Sequence, residues 1–276
     1  MTAFTLGARA RAAGYRLRSY ESIGSTTTEA IAAAGAGDPG GIWFVAREQT
    51  AGRGRRGRPW VHPPGNLAAT LLIIPDVAPT FSATLGFVAG ITVSNALASV
   101  LPPGTVKIAM DGADSLDGHG RIALKWPNDV LADGAKLVGI GLEATKVPDG
   151  RHAVAIGIGV NVVAAPEGLP YPATSLSELG VSRSAEQILE ALSDAWVEAF
   201  GLWDEGRGMS TVLKLWRASA AGIGAPIAVH QDGEVLRGIF ETVDDEGRLI
   251  VRANDNRRIV ITAGDVHFGA TASARS

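Results

Sequence analysis

Residues 125–165 read KWPNDVLADGAKLVGIGLEATKVPDGRHAVAIGIGVNVVAA, and their pattern decides the fold class. Three apolar runs lie here, around Val130, from Leu137 to Leu142 and from Ala153 to Val163, with Asp and Gly turns between them. Runs of that length bounded by turn signals predict neighbouring strands of one sheet. Downstream, Ala185 to Asp204 and Met209 to Ala221 carry apolar residues at helical spacing, including Ile188, Leu189, Leu192, Trp196 and Phe200. After Gly222 and Gly224 the period changes to short alternating strands, IAVH, LRGIFETV, LIVRA and RIVITA, separated by Asp232-Gly233, Glu246-Gly247 and Asn254 to Asn256. That pattern predicts a β-barrel of SH3-like size.

Upstream, Ile42 to Ala46 reads as a buried strand and Leu67 to Ile74 as a second, closed by Pro75. Thr80 to Leu101 is long enough for a helix, stopped by Pro102, Pro103 and Gly104. Thr26 with Glu29 makes a capping-box pattern before an alanine-rich helix that Gly35 and Gly37 end. Met110 to Gly120 is polar and turn-rich and reads as an exposed excursion. The expected architecture is α+β, a mixed sheet flanked by helices over residues 1–222, a small barrel over 223–270 and a flexible tail over 271–276.

Composition excludes several function classes. Cysteine is absent, which removes disulfides, thiolate metal sites and cysteine nucleophiles together. A net charge of −3 gives no global positive field for DNA or an anionic membrane surface. The longest apolar stretches, Gly86 to Leu101 and Val154 to Ala165, are interrupted by Ser94 and Asn95 or by Asn161, short of the roughly 18 residues of a membrane span. Arg9, Arg11, Arg16 and Arg18 precede no apolar run of signal-peptide type, so a cytoplasmic protein is expected. His62, His119, His152, His230 and His267 are scattered without metal-ligand spacing, and no protein-only metal site is expected.

Chemistry concentrates in two clusters. Residues 52–57, GRGRRG, match the dinucleotide fingerprint in letters only, because Pro59-Trp60 follows where a helix should begin. Arg53, Arg55, Arg56 and Arg58 on a backbone loosened by Gly52, Gly54 and Gly57 can wrap an anion, with Trp60 as a stacking plane. The same loop can also be read as a solvated basic segment or an RNA contact. The second cluster is KWPND, Lys125 to Asp129, where Pro127 and Asn128 mark a turn, followed by Lys136 and Gly139. A hairpin corner with a surface ion pair is the plainer reading. Lys136 lies in an apolar run, so it must either point out of the sheet or meet a buried anion. Asn161 poses the same question, and satisfying backbone groups is the common fate of a buried amide.

EQTAGRGRRGRPW at Glu48 to Trp60, KWPNDVL at Lys125 to Leu131, KLVGIGLE at Lys136 to Glu143 and GIGVNV at Gly157 to Val162 together resemble a biotin protein ligase. The resemblance runs in order over most of residues 20–270, and the barrel fits it. It implies a class II synthetase-like catalytic domain that joins biotin to ATP as biotinyl-5′-AMP with Mg²⁺. The biotinyl group then passes to a lysine of a biotin carboxyl carrier protein of acetyl-CoA carboxylase or a related carboxylase. By resemblance Lys136, Arg53, Arg55 and Asp129 are catalytic. Ser25, Thr26, Thr27, Gln49, Gly52, Arg53, Gly54, Arg55, Lys136 and Gly139 hold biotin. Arg55, Arg58, Trp60, Asn128, Lys136 and Asn161 hold the nucleotide. Thr27 departs from the family's usual Ser-Thr-Asn.

The helix at Thr26 starts too early for a winged-helix domain before it, so the form without DNA binding is expected, and a homodimer is allowed. Clustered glycines and mutually repelling arginines predict that Gln49 to Trp60 is mobile alone and orders over the adenylate. A lipoate or octanoate ligase shares this fold, and an RNA-binding module is the rival from another class.

Overall fold

The computed structural model describes residues 2–54, 57–101, 107–108, 121–231 and 234–268, apart from the side chains of residues 107, 108 and 121. An eight-stranded mixed sheet runs β1-β2-β3-β8-β7-β6-β5-β4. Its strands are β1 (Arg16–Ile23), β2 (Ile42–Gln49), β3 (Leu67–Ile73), β4 (Lys107–Ile108), β5 (Arg121–Lys125), β6 (Asp129–Ala132), β7 (Ala135–Lys146) and β8 (His152–Val160). The β1–β2 and β4–β5 pairs are parallel and the others antiparallel. Helices α1 (Ala8–Ala12), α2 (Thr26–Gly35), α3 (Pro79–Ser82), α4 (Leu85–Val100), α5 (Ala185–Trp203) and α6 (Met209–Ala218) complete this part. A five-stranded antiparallel sheet follows, from β9 (Pro226–Gln231), β10 (Glu234–Val243), β11 (Leu249–Arg252), β12 (Arg258–Ile261) and β13 (Asp265–Phe268), in the order β12-β11-β10-β9-β13.

Strand alternation sorts the core into two faces. Trp43, Val45, Leu67, Leu71, Val154, Ile156 and Ile158 face α4, α5 and α6 in the larger cluster. Their neighbours Ile42, Phe44, Leu72, Ala153 and Ala155 turn the other way, against Ala30 and Ala34 of α2. The α2 helix covers only part of that second face. Where it stops, the same parity is occupied by small residues, Ala68, Thr70, Gly139, Gly141, Gly157 and Gly159, and a cavity opens there. Gly139 pairs with Gly159 and Gly141 with Gly157, so the glycines form a contiguous floor.

The second sheet is packed onto the first. Ile227, Val229 and Phe240 belong to the same buried cluster as Leu124 and Trp216, and Trp126 Nε1 donates to Gly247 O at 3.1 Å. Leu124 N donates to Ser219 O, and Ala221 N returns a bond to Leu124 O.

Several expectations are corrected. Ser25, not Thr26, caps α2 by accepting from Thr28 N, so Thr26 is free to turn into the site. The helix expected over Thr80–Leu101 is two, broken around Ala83 and Thr84. By length and composition Pro79–Val100 could cross a membrane, but 67% of its most apolar 18-residue window is buried inside the protein. Strands β1, β4, β5 and β13 have no counterpart among the strands expected from the sequence. β1 is an edge strand, largely exposed, and its RLRSYESI lacks an alternating apolar set. The Met110–Gly120 excursion and the expected tail lie outside the described residues.

Candidate active site

The cavity, about 320 Å³, lies between the glycine floor, the N-terminus of α2, the arginine loop and strand β13. That is the size of a small-molecule site. Of the residues singled out in the sequence, Ser25, Thr26, Thr27, Gln49, Arg53, Gly54, Arg58, Trp60, Asn128, Asp129, Lys136 and Gly139 all line it. Gly52 and Asn161 stand behind it. Arg55 and Arg56, with the roles expected of Arg55, lie outside the described residues.

One end of the cavity is hydroxyl-rich. Ser25, Thr26 and Thr27 come from the first turn of α2, where N–H groups lack intrahelical partners. Gln49 Oε1 accepts from Thr26 N at 2.8 Å and from Thr26 Oγ1 at 3.0 Å.

The other end is charged. Strict alternation would send Lys136 to the core side with Val138 and Ile140, but the β6–β7 register shifts between Val130 and Leu131. This bulge re-aims one side chain. Leu137 enters the core, while Lys136 Nζ meets Asp129 Oδ1 at 2.7 Å with both side chains mostly buried. The pair is held by distance and charge, because among the described residues no hydrogen bond of good angle reaches Asp129 Oδ1. Lys136 Nζ also lies 5.5 Å from the ring centres of Trp60 and Tyr171. Asn161 supports this arrangement from behind, donating to Thr174 O at 3.0 Å and to Lys136 O at 3.4 Å. Lys125 flanks the pair, and burial holds its ammonium below the usual lysine range, opposed by Asp129 and reinforced by Lys136.

The arginine loop is a narrow hairpin at its described flanks, with Trp60 N donating to Gly52 O at 2.9 Å and Gly54 N to Arg58 O at 2.7 Å. Gly52 is required, since a Cβ there would stand 2.6 Å from Trp60 O. Arg53 reaches Thr28 Oγ1 and Glu143. Arg58 pairs with Asp265 of β13 at 2.5 Å. Trp60 lies flat on the floor: a Cβ at Gly159 would be 2.5 Å from its ring, and one at Gly139 2.7 Å.

The sequence model of the Biotin/lipoate A/B protein ligase family matches residues 31–161, and that of the Biotin protein ligase C terminal domain matches residues 222–269. A biotin–[acetyl-CoA-carboxylase] ligase of Paracoccus denitrificans is 39% identical over 254 residues, covering 89% of this chain and 97% of the relative. The chain belongs to the biotin protein ligase family. Another such ligase, from Mycobacterium tuberculosis, is 34% identical over 256 residues, covering 88% of this chain and 85% of that one. The biotin protein ligase from Aquifex aeolicus, solved in complex with biotin and ATP, shares the fold with a TM-score of 0.74 at 22% identity, covering 92% of this chain and 99% of that one.

As a biotin protein ligase, the chain has a cavity whose lining extends beyond the residues read from the sequence. Thr70, Glu143, Tyr171 and the β13 residues Asp265 and His267 also line the cavity. Parity could have found the first two. Thr70 is the polar residue of the buried run LAATLLI, and Glu143 continues the Gly139-Gly141 series. Asp265 and His267 arrive through the packing of the second sheet, for which no local signal exists.

Proposed function

We propose that this chain activates biotin with ATP to biotinyl-5′-AMP and transfers the biotinyl group to a carrier lysine. The observation that carries the reading is one cavity with a hydroxyl-lined end, a glycine floor and a cationic end centred on Lys136 and Asp129. Biotin's bicycle is bent, but its cyclic urea is flat and fits the glycine floor beside Trp60, and that urea needs the partners that Ser25, Thr27 and Gln49 supply, since unpaired buried polar groups are costly. A carboxylate attacking an α-phosphate brings two anions together. Lys136, Lys125, Arg53 and Arg58 offer the positive charge that favours this encounter. The Lys136–Asp129 pair, lacking a well-angled hydrogen bond, leaves the ammonium ready to change partners. Trp60 offers the adenine a stacking face, and the loop shields the mixed anhydride from water.

Mg²⁺ belongs to the same reading. The ion would be carried by the triphosphate, with one carboxylate such as Asp129 able to hold it. Bound so, it would screen phosphate charge. The acceptor is a biotin carboxyl carrier domain of acetyl-CoA carboxylase type. Net charge −3 favours partners other than DNA or an anionic membrane, and a cytoplasmic setting and a homodimer complete the proposal.

Mass spectrometry of a carrier domain incubated with the protein, biotin, ATP and Mg²⁺ is the test. One biotinyl adduct on a single lysine is expected. Lipoyl or octanoyl adducts in its place, or no ATP-dependent adduct, would overturn the reading.

A further inference from the structure

Thr70 is wholly buried in β3 at the hydroxyl end of the cavity, and what it does follows from where each proton goes. Thr26 N–H donates to Gln49 Oε1 at 2.8 Å. A backbone N–H can only donate, so the amide atom it meets is the oxygen. Thr26 Oγ1 lies 3.0 Å from that same oxygen and must also donate, because two sets of lone pairs at this separation repel. Its single proton is then used. The 2.8 Å contact between Thr26 and Thr70 is therefore donated by Thr70, and the 3.1 Å contact between Thr70 and Thr27 by Thr27.

One acceptor at Gln49 thus orients a chain of three threonine hydroxyls. Thr27 Oγ1, at the end of the chain, is left with only lone pairs to offer the cavity. Ser25 comes out opposite: its Oγ accepts from Thr28 N at 3.4 Å, and among the described residues none takes its proton. Gly157, which pairs with Thr70 across β8, keeps the approach open, since a Cβ there would stand 3.1 Å from Thr27 Oγ1.

We infer that Thr70 is a specificity-determining positioning residue, which fixes Thr27 as an obligate acceptor for a ring N–H of a cyclic urea while Ser25 donates to its carbonyl. The inference rests on the biotin reading of the site. It explains how threonine serves at Thr27, where the family resemblance expects asparagine. An asparagine carries a permanent acceptor oxygen, whereas a hydroxyl is an obligate acceptor only if its own proton is held elsewhere. Thr70 holds it.

Calorimetric titration of the full chain with biotin and with its cyclic carbamate analogues, ring oxygen replacing one N–H at a time, tests this. The wild type is expected to bind biotin at least roughly tenfold more tightly than one of the two analogues, the scale of a buried hydrogen bond. In Thr70→Val the Thr27 proton has lost its acceptor and can turn to the ring oxygen, so the ratio collapses to a fewfold difference. Thr70→Ser restores it. Should Thr70→Val fail to fold, Thr27→Val carries the same expectation. A wild type that does not bind biotin refutes the reading of the site whatever Thr70 does. Biotin binding with the full ratio kept in Thr70→Val, or in Thr27→Val, refutes the relay alone.

Discussion

Arg58 of the arginine loop is paired with Asp265 of β13 at 2.5 Å, so the loop that covers the cavity is fastened to the second sheet. At its other flank Arg53 reaches Glu143 of β7, 3.4 Å away. The loop is thus held at both ends by carboxylates from two different sheets.

Both pairs are substantially exposed, and such pairs contribute only about 0.2–1 kcal/mol. Asp265→Asn should therefore leave the melting temperature nearly unchanged. What it should alter is the loop: faster amide exchange over residues 52–60 and a KM for ATP raised severalfold, with kcat little affected. Unchanged exchange in the loop would show that Arg58 and Asp265 are neighbours without consequence.

The glycine floor makes a paired prediction. A Cβ at Gly159 would stand 2.5 Å from the Trp60 ring, so Gly159→Ala must displace the indole. A Cβ at Gly141 meets nothing within 4 Å among the described residues and would project into cavity space. Gly159→Ala should shift the tryptophan emission and weaken nucleotide binding. Gly141→Ala should leave the emission alone and weaken biotin binding by roughly tenfold through lost fit. Identical behaviour of the two variants would contradict the placement of Trp60 on the floor.

Much of this was legible in the sequence because strands and glycines obey simple periodicities. The runs around Val130, Leu137–Leu142 and Ala153–Val163 became β6, β7 and β8 as neighbours in one sheet. Period-two parity also puts Gly139, Gly141, Gly157 and Gly159 on one face. What could not be read were features that depend on breaks in period or on distant packing. Lys136 reaches the site through a bulge that reverses its side. β1, RLRSYESI, is held in place by parallel pairing with β2, with only Leu17 and Tyr20 packed partly against the core. Asp265 and His267 come to the cavity only because the second sheet shares a core with the first.

The Lys136–Asp129 pair sets a third expectation. Removing a cation from a developing anion costs on the order of 3 kcal/mol, or about a hundredfold in rate. Lys136→Ala should therefore nearly abolish biotin-dependent ATP–pyrophosphate exchange. Its circular dichroism spectrum should stay native, since both side chains of the pair retain some solvent access. Exchange at the wild-type rate would remove Lys136 from the chemistry.

His62 gives the fold a dependence on pH. Its Nε2 lies 2.8 Å from Asn66 O, which can only accept, so the ring is the neutral tautomer with the proton on Nε2. Nδ1 is buried without a hydrogen-bonding partner among the described residues. Protonation would place a second N–H there, and burial accordingly holds the imidazole below its ordinary 6.5, with Asn66 O and Glu48 opposing. Well above pH 6.5 the ring is neutral in both the folded and the unfolded chain, and His62 does not affect stability. As the pH falls below 6.5 the unfolded chain takes up a proton that the folded one refuses, so stability is lost, by at most about 1.4 kcal/mol per pH unit for one site. His267, also depressed, first by burial and then by Lys125, adds in the same direction. The affected segment matters to the site. Asn66 Oδ1 accepts from Val162, Val163 and Ala164 N–H groups, and the chain from Trp60 to Asn66 joins the arginine loop to β3. Urea unfolding at pH 7.5 and 5.5 should show the wild type losing stability on acidification. His62→Gln, whose amide can still donate to Asn66 O, should lose measurably less. Equal losses in the two proteins would mean that His62 is protonated as readily in the fold as out of it.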